Sequence, residues 1–153
     1  MTSTNWLDPV EMRLWRAFLT STSSVTAALD SQLKAATGVS IDDYDVLANL
    51  SEAPDQRLRM SELSQTVVHS RSRLTQRIDR LADRGWVKRE KCEEDARGTW
   101  AVLTKQGMQT LAEAAPHHLE HVRANFIDHF TPCLLYTSPS PRDATLSRMP
   151  SSA

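Results

Sequence analysis

Side chains able to do chemistry crowd into one short stretch. Positions 70 to 80 read Ser-Arg-Ser-Arg-Leu-Thr-Gln-Arg-Ile-Asp-Arg, which is four arginines, three hydroxyls and a glutamine in eleven residues. A guanidinium can donate two hydrogen bonds to guanine O6 and N7, and a glutamine amide can pair with adenine. Each such pairing is worth about 1–3 kcal/mol of discrimination between bases. Hydroxyls at a helix start can reach phosphates or bases, because the free N–H groups there favour anions. The alternative for such a stretch is a basic helix face kept for solubility. No GxSxG, HExxH or glycine-rich phosphate loop occurs, so no catalytic constellation and no cofactor is expected.

A second cluster, Asp95-Ala96-Arg97-Gly98, follows fifteen residues on. Arg97 suits a strand backbone or a minor groove, whose negative potential attracts an inserted arginine. Asp95 cannot favourably face phosphate, and its expected role is to pair with an arginine and hold the loop in shape. The net charge of −1 hides this segregation. Residues 57–91 carry ten Lys or Arg against four acids, and residues 30–55 carry six acids against Lys34. A local basic stretch is the electrostatic footprint of a polyanionic partner.

Elements must hold these clusters in place. Pro9 to Ala36 has Trp15, Phe18, Thr22, Val25, Leu29 and Leu33 on one helical face, with Gly38 as its stop. Ser40 is the expected N-cap of a second helix, with Asp42 and Asp43 in its first turn and Ile41, Tyr44, Leu47 and Leu50 inward. A short extended Leu58-Arg59 leads to a third helix, Met60 to Val67. After the turn Val68-His69-Ser70, a fourth helix runs to Arg84 and turns Leu74, Ile78 and Leu81 inward, ending at Gly85. That spacing leaves Arg71, Arg73, Gln76, Arg77 and Arg80 outside. Trp86–Lys91 and Thr99–Leu103 then switch to a period of two and read as a hairpin with a long polar tip. Thr104 should cap a last helix that carries Met108, Leu111, Ala115, Leu119, Val122, Phe126 and Phe130, with a kink or break at Pro116. A short helix, a turn and an Arg-rich helix form a helix-turn-helix arrangement, and the hairpin adds a wing.

On these residues the chain resembles the MarR family of bacterial transcriptional regulators. The resemblance rests on Ser70 to Thr75 opening the recognition helix, on Asp79-Arg80-Leu81 within it, and on Gly85-Trp86-Val87 entering the wing. Asp95-Ala96-Arg97-Gly98 and Leu103-Thr104-Lys105-Gln106-Gly107 match the family's Asp-x-Arg-Gly and Leu-Thr-x-x-Gly patterns. It covers about Pro9 to Pro132. It implies a mainly α fold with a small β-wing, a winged helix-turn-helix flanked by N- and C-terminal dimerisation helices. It further implies a homodimer on a pseudo-palindromic operator in double-stranded DNA, usually a repressor relieved by a small-molecule effector. The expected organisation is one domain over 1–132, with dimerisation helices at 9–37 and 105–131 and the winged lobe at 40–104. The candidate DNA contacts are Ser70, Arg71, Ser72, Arg73, Thr75, Gln76, Arg77 and Arg97, with Asp95 structuring the wing. The competing readings are a winged-helix module for protein–protein contact and a metal-sensing regulator.

Other features fit less chemistry. His117 and His121 are four apart and could share a metal with His118, Glu113 or Glu120 nearby, but a solvated helix face is the expectation and no metal site is assigned. The two cysteines, Cys92 and Cys133, form no CxxC, and Cys92 reads as an incidental surface thiol. Trp6, Trp15, Trp86 and Trp100 read as core or interface residues. With no run of 18 apolar residues and no basic-then-apolar N-terminus, a cytoplasmic protein is expected. Beyond Pro132 the family usually continues into a helix that completes the dimer. Here residues 133–153 hold five Ser and three Pro, and Cys-Leu-Leu-Tyr-Thr-Ser-Pro-Ser-Pro-Arg-Asp looks like a translated sequencing adapter. This tail is expected to be non-native and poorly ordered.

Overall fold

Asp8 sets where the chain turns helical. Its Oδ1 accepts from the N–H groups of Val10 (2.6 Å) and Glu11 (2.9 Å), and Glu11 Oε2 accepts from the Asp8 N–H at 2.8 Å. This reciprocal cap, with Pro9 at the first helical position, starts α1 (Pro9–Thr37). The computed structural model describes residues 5–67, 71–92 and 98–133, and only the backbone of Arg71. Helix α2 (Ile41–Glu52) starts as expected, with Ser40 Oγ accepting from the Asp43 N–H at 3.1 Å. Then follow β1 (Arg57–Arg59), α3 (Met60–Thr66), α4 (Arg71–Asp83), β2 (Val87–Lys91), β3 (Thr99–Leu103) and α5 (Lys105–Asn125).

The three strands form one antiparallel sheet in the order β1-β3-β2. Arg59 pairs with Trp100, and Val87 with Leu103. The core lies between this sheet and the helices. Val46, Leu47 and Leu50 of α2, Leu63 of α3, Leu74, Ile78 and Leu81 of α4, and Val87, Ala101 and Leu103 of the sheet are all buried. Burying each of the larger aliphatics contributes about 1.5–3 kcal/mol, so this cluster fixes the helix-turn-helix to the sheet. A satellite cluster of Leu33, Val39 and Ala114 joins α1 and α5 to the lobe through Tyr44 and Trp86.

Two junctions hold the wing. After α4 the Trp86 N–H donates to Leu81 O at 3.0 Å and the Gly85 N–H to Ala82 O at 2.9 Å, with Gly85 at φ +75°. That left-handed residue reverses the chain into β2. After β3, the Thr104 hydroxyl donates to Gly85 O at 2.6 Å and accepts from the Gly107 N–H at 3.0 Å. Gly107 lies so close that a Cβ there would fall on the Trp86 carbonyl and within 2.8 Å of Leu103 Cδ1. The Leu-Thr-x-x-Gly pattern is thus the lock between α5 and both ends of the wing.

Three expectations need correction. Pro116 lies inside an unbroken α5, which is packed along α1, and that packing outweighs the one backbone hydrogen bond a proline forfeits. The helix stops at Asn125, so Phe126 and Phe130 stand beyond it, meeting edge to face at 4.8 Å. Cys92 is buried, because its N–H donates to Gly98 O at 3.0 Å and closes the hairpin neck over it. The apolar face of α1 divides. Leu33 is fully buried, whereas Val10 (63%), Leu14 (73%) and Phe18 (59%) are open to solvent, as is Leu119 of α5 at 60%.

Candidate nucleic-acid interface

Helix α4 presents two chemically distinct sides. Leu74, Ile78 and Leu81 are 1% exposed or less, and Ser72, Arg73, Thr75, Gln76 and Arg80 are exposed. Four of the expected contact residues, Ser72, Arg73, Thr75 and Gln76, therefore share the outer surface of one rigid helix. Ser70, the Arg71 side chain, Asp95 and Arg97 lie outside the described residues.

Arg77 is not on that surface. Its side chain is 13% exposed, with Nη2 on Asp42 Oδ2 at 2.6 Å and Nη1 on Asp43 Oδ1 at 2.7 Å. Nη1 also lies 3.3 Å from Ser40 Oγ, and Nε is buried without a hydrogen-bond partner among the described residues. The guanidinium fork spans the first turn of α2 and ties it to the middle of α4. Arg77 is thus a strut beneath the recognition helix, and the exposed role expected for it is withdrawn. The acidic stretch around Asp42 has found the basic stretch from within the same molecule.

Other basic residues are likewise engaged internally. Arg89 Nη2 donates to Asp79 Oδ1 at 2.8 Å and to Thr75 O at 3.1 Å, which fastens the base of β2 to α4. Lys88 pairs with Glu90 at 2.6 Å across the outer side of β2. Arg57 and Arg59 lie over the Trp100 ring at 4.8 and 5.3 Å, and Arg84 over Trp86 at 4.7 Å. The wing and the recognition helix are consequently one cross-braced unit, which sequence spacing did not show.

A cavity of about 770 Å³ opens between α1 and the lobe, lined by Phe18, Thr22, Ala27 and Asp30 of α1 and by Asp43 and Arg77 of the lobe. Asp30 Oδ1 accepts from the Ile41 N–H at 3.0 Å, and its Oδ2 receives Lys34 Nζ at 2.7 Å. Partial burial pushes the Asp30 carboxyl up, but the hydrogen bonds from Lys34 and Ile41 with the charges of Lys34 and Arg77 outweigh it, leaving the pKa below its ordinary value. On α5, His118 lies against Tyr44 with ring centroids 4.3 Å apart, and its Nδ1 is buried and unpartnered among the described residues. Burial and the neighbouring His121 push its pKa down, against a smaller upward pull from Asp45. His117 is exposed, and among the described residues no three His, Cys, Asp or Glu side chains come together to hold a metal. No described helix is long and apolar enough to cross a membrane.

A short helix, an outward-facing second helix and a three-stranded sheet that ends in a hairpin define a winged helix-turn-helix protein. The MarR family model matches residues 37–98. Sco3205 of Streptomyces coelicolor, a MarR family transcriptional regulator solved in complex with DNA, superposes with a TM-score of 0.84 at 36% identity, over 90% of this chain and 86% of that one. AbsC, a MarR family regulator of the same organism, gives 0.80 at 41% identity, over 87% of this chain and 89% of its own. The transcriptional regulator PecS of Dickeya dadantii is 31% identical over 83 residues, which cover 53% of this chain and 49% of PecS. The chain therefore belongs to the MarR family. It spans about half the length of that curated relative.

Proposed function

We propose that this chain is a sequence-specific, DNA-binding transcriptional regulator without catalytic activity, acting in the cytoplasm as a ligand-responsive repressor. The observation that carries the reading is the outer face of α4, where Ser72, Arg73, Thr75 and Gln76 stand exposed on a helix braced from below by Arg77 and from the side by Arg89. In this reading α4 enters the major groove, with Arg73 and Gln76 on base edges and Ser72 and Thr75 on phosphates or bases. Ser70, Arg71 and Arg97 extend the contact to the strand backbone, and Asp95 shapes the wing tip. Sco3205, bound to DNA in its own crystal structure, supports the assignment by its similarity.

A single lobe offers one short helix to the groove, so tight binding calls for a second copy. The exposed apolar residues of α1 and at the end of α5, Val10, Leu14, Phe18, Leu119 and Phe126, supply the surface for a homodimer on a pseudo-palindromic operator. The cavity between α1 and the lobe is where a small effector would act, because its walls include Arg77, the strut of the recognition helix. The division into one domain over 1–132, with α1 and α5 as its dimerisation helices, follows from the same reading. The test is binding to the promoter region upstream of its own gene across a salt series. Affinity should fall linearly in log-log form, because phosphate contacts release counterions. A flat response rules the proposal out. Arg73→Ala should weaken binding and relax preference at particular bases, with each lost bidentate pair worth about 1–3 kcal/mol.

A further inference from the structure

Two clefts open beside α4, on the side away from the α1 cavity. One, of about 400 Å³, is walled by Arg59, Ser61, Thr75, Arg89 and Thr99. The other, of about 210 Å³, shares Met60, Ser61 and Thr75 with it and adds Ser64. Because they share three residues, the two form one trough between the start of α3, the recognition helix and the base of the wing. Among the described residues, its lining has two guanidinium groups, four hydroxyls and no carboxylate. The α1 cavity, by contrast, mixes Asp30, Asp42 and Asp43 with its cations. Among the described residues, the trough has the donor-rich lining that an anion needs.

The donors in the trough are fixed in place. Arg89 is held by Asp79 at 2.8 Å and by the Thr75 carbonyl at 3.1 Å. Arg59 lies over the Trp100 ring at 5.3 Å, and its backbone N–H is taken by Glu62 Oε2 at 2.9 Å. Thr75 belongs both to the trough wall and to the exposed side of α4. An anion seated here is therefore adjacent to whatever the recognition helix reads. We propose that the trough seats a backbone phosphate of the bound DNA strand, with Arg59 and Ser61 as contact residues and Arg89 as a braced donor between wing and helix. None of these three is on the sequence-derived list of contacts. The inference rests on the DNA-binding reading above and adds where the strand is gripped.

Salt dependence separates a phosphate contact from a merely structural residue. Each phosphate neutralised contributes about 0.9 to the slope of log affinity against log salt. Binding of wild type, Arg59→Gln, Arg59→Lys and Ser61→Ala to a mixed-sequence DNA duplex would be followed by fluorescence anisotropy. Circular dichroism would check that each variant is folded. Arg59→Gln should weaken binding and flatten the slope by about 0.9, and Arg59→Lys should restore the slope. Ser61→Ala should weaken binding by about fivefold with the slope unchanged, since a hydroxyl carries no charge. If wild type binds with a steep slope and Arg59→Gln keeps that slope, the phosphate seat is wrong and the DNA-binding reading stands. If Ser61→Ala binds as wild type does, the hydroxyl wall of the seat is wrong. Wild-type binding that ignores salt overturns both.

Discussion

Arg77→Ala tests the strut directly. The substitution removes the Arg77 guanidinium from two carboxylates, Asp42 and Asp43, whose side chains are 39% and 15% exposed. Removing one partner of a buried ion pair costs about 3–5 kcal/mol, because the other charge is left uncompensated. Two features lower that figure here. Asp42 can recover water, and the buried Nε without a partner is a liability of about 1 kcal/mol that the substitution removes. The net expectation is a loss of about 2–3 kcal/mol, which urea denaturation at fixed protein concentration would show as a lower midpoint with an unchanged slope. The double-mutant cycle with Asp43→Asn should give a coupling energy above about 1 kcal/mol. DNA affinity should fall while its salt slope stays as in wild type, since the Arg77 guanidinium is turned onto Asp42 and Asp43. The strut would be refuted by a stability loss under about 0.5 kcal/mol, the size of an ordinary surface substitution. A slope flattened by about 0.9 would return Arg77 to the contact surface.

Three further outcomes follow from the same structure. Alanine is normally the better helix former by about 1 kcal/mol, yet Gly107→Ala should destabilise by about 2 kcal/mol because its Cβ meets the Trp86 carbonyl; a raised melting temperature would contradict this. The fold holds the His118 pKa below its ordinary 6.5, so its contribution to stability is complete above that pH and declines as pH falls towards the folded value. His118→Gln should therefore flatten the stability profile of wild type in that window, and parallel profiles would remove the His118 contribution. Leu14→Glu, at a site 73% exposed in one copy, should leave single-copy folding within about 0.5 kcal/mol but shift sedimentation towards the monomer, whereas an unchanged dimer would exclude this face from the interface.

How far the sequence could be read differs by element. The spacing of Leu74, Ile78 and Leu81 identifies the inner side of α4, because that pattern is imposed by burial against the core, whereas β3 is legible as a short apolar run, Ala101, Val102 and Leu103 all being buried, and not as a strict alternation. Arg77 was misplaced although a signal existed. It lies three residues after Leu74 and four before Leu81, so helical geometry puts it at the edge of the inner side, and Asp42-Asp43 supplies the charge to meet it. Pro116 misled in the opposite direction. The apolar period runs through it from Leu111 to Val122, and packing on α1 carried the helix across. Cys92 escaped strand alternation because its cover comes from Gly98, across the hairpin neck. The trough beside α4 was not legible at all, since Arg59, Thr75 and Arg89 come from three elements that only the finished fold brings together.

The central claim is that α4, presented twice by a symmetric dimer, reads a specific DNA site. Hydroxyl-radical footprinting of the full chain on its own promoter region tests it most directly. Two protected patches about 10 base pairs apart, related by a dyad in the sequence, are predicted, with protection lost in Arg73→Ala. Uniform protection along the fragment, or protection that Arg73→Ala leaves intact, would contradict it.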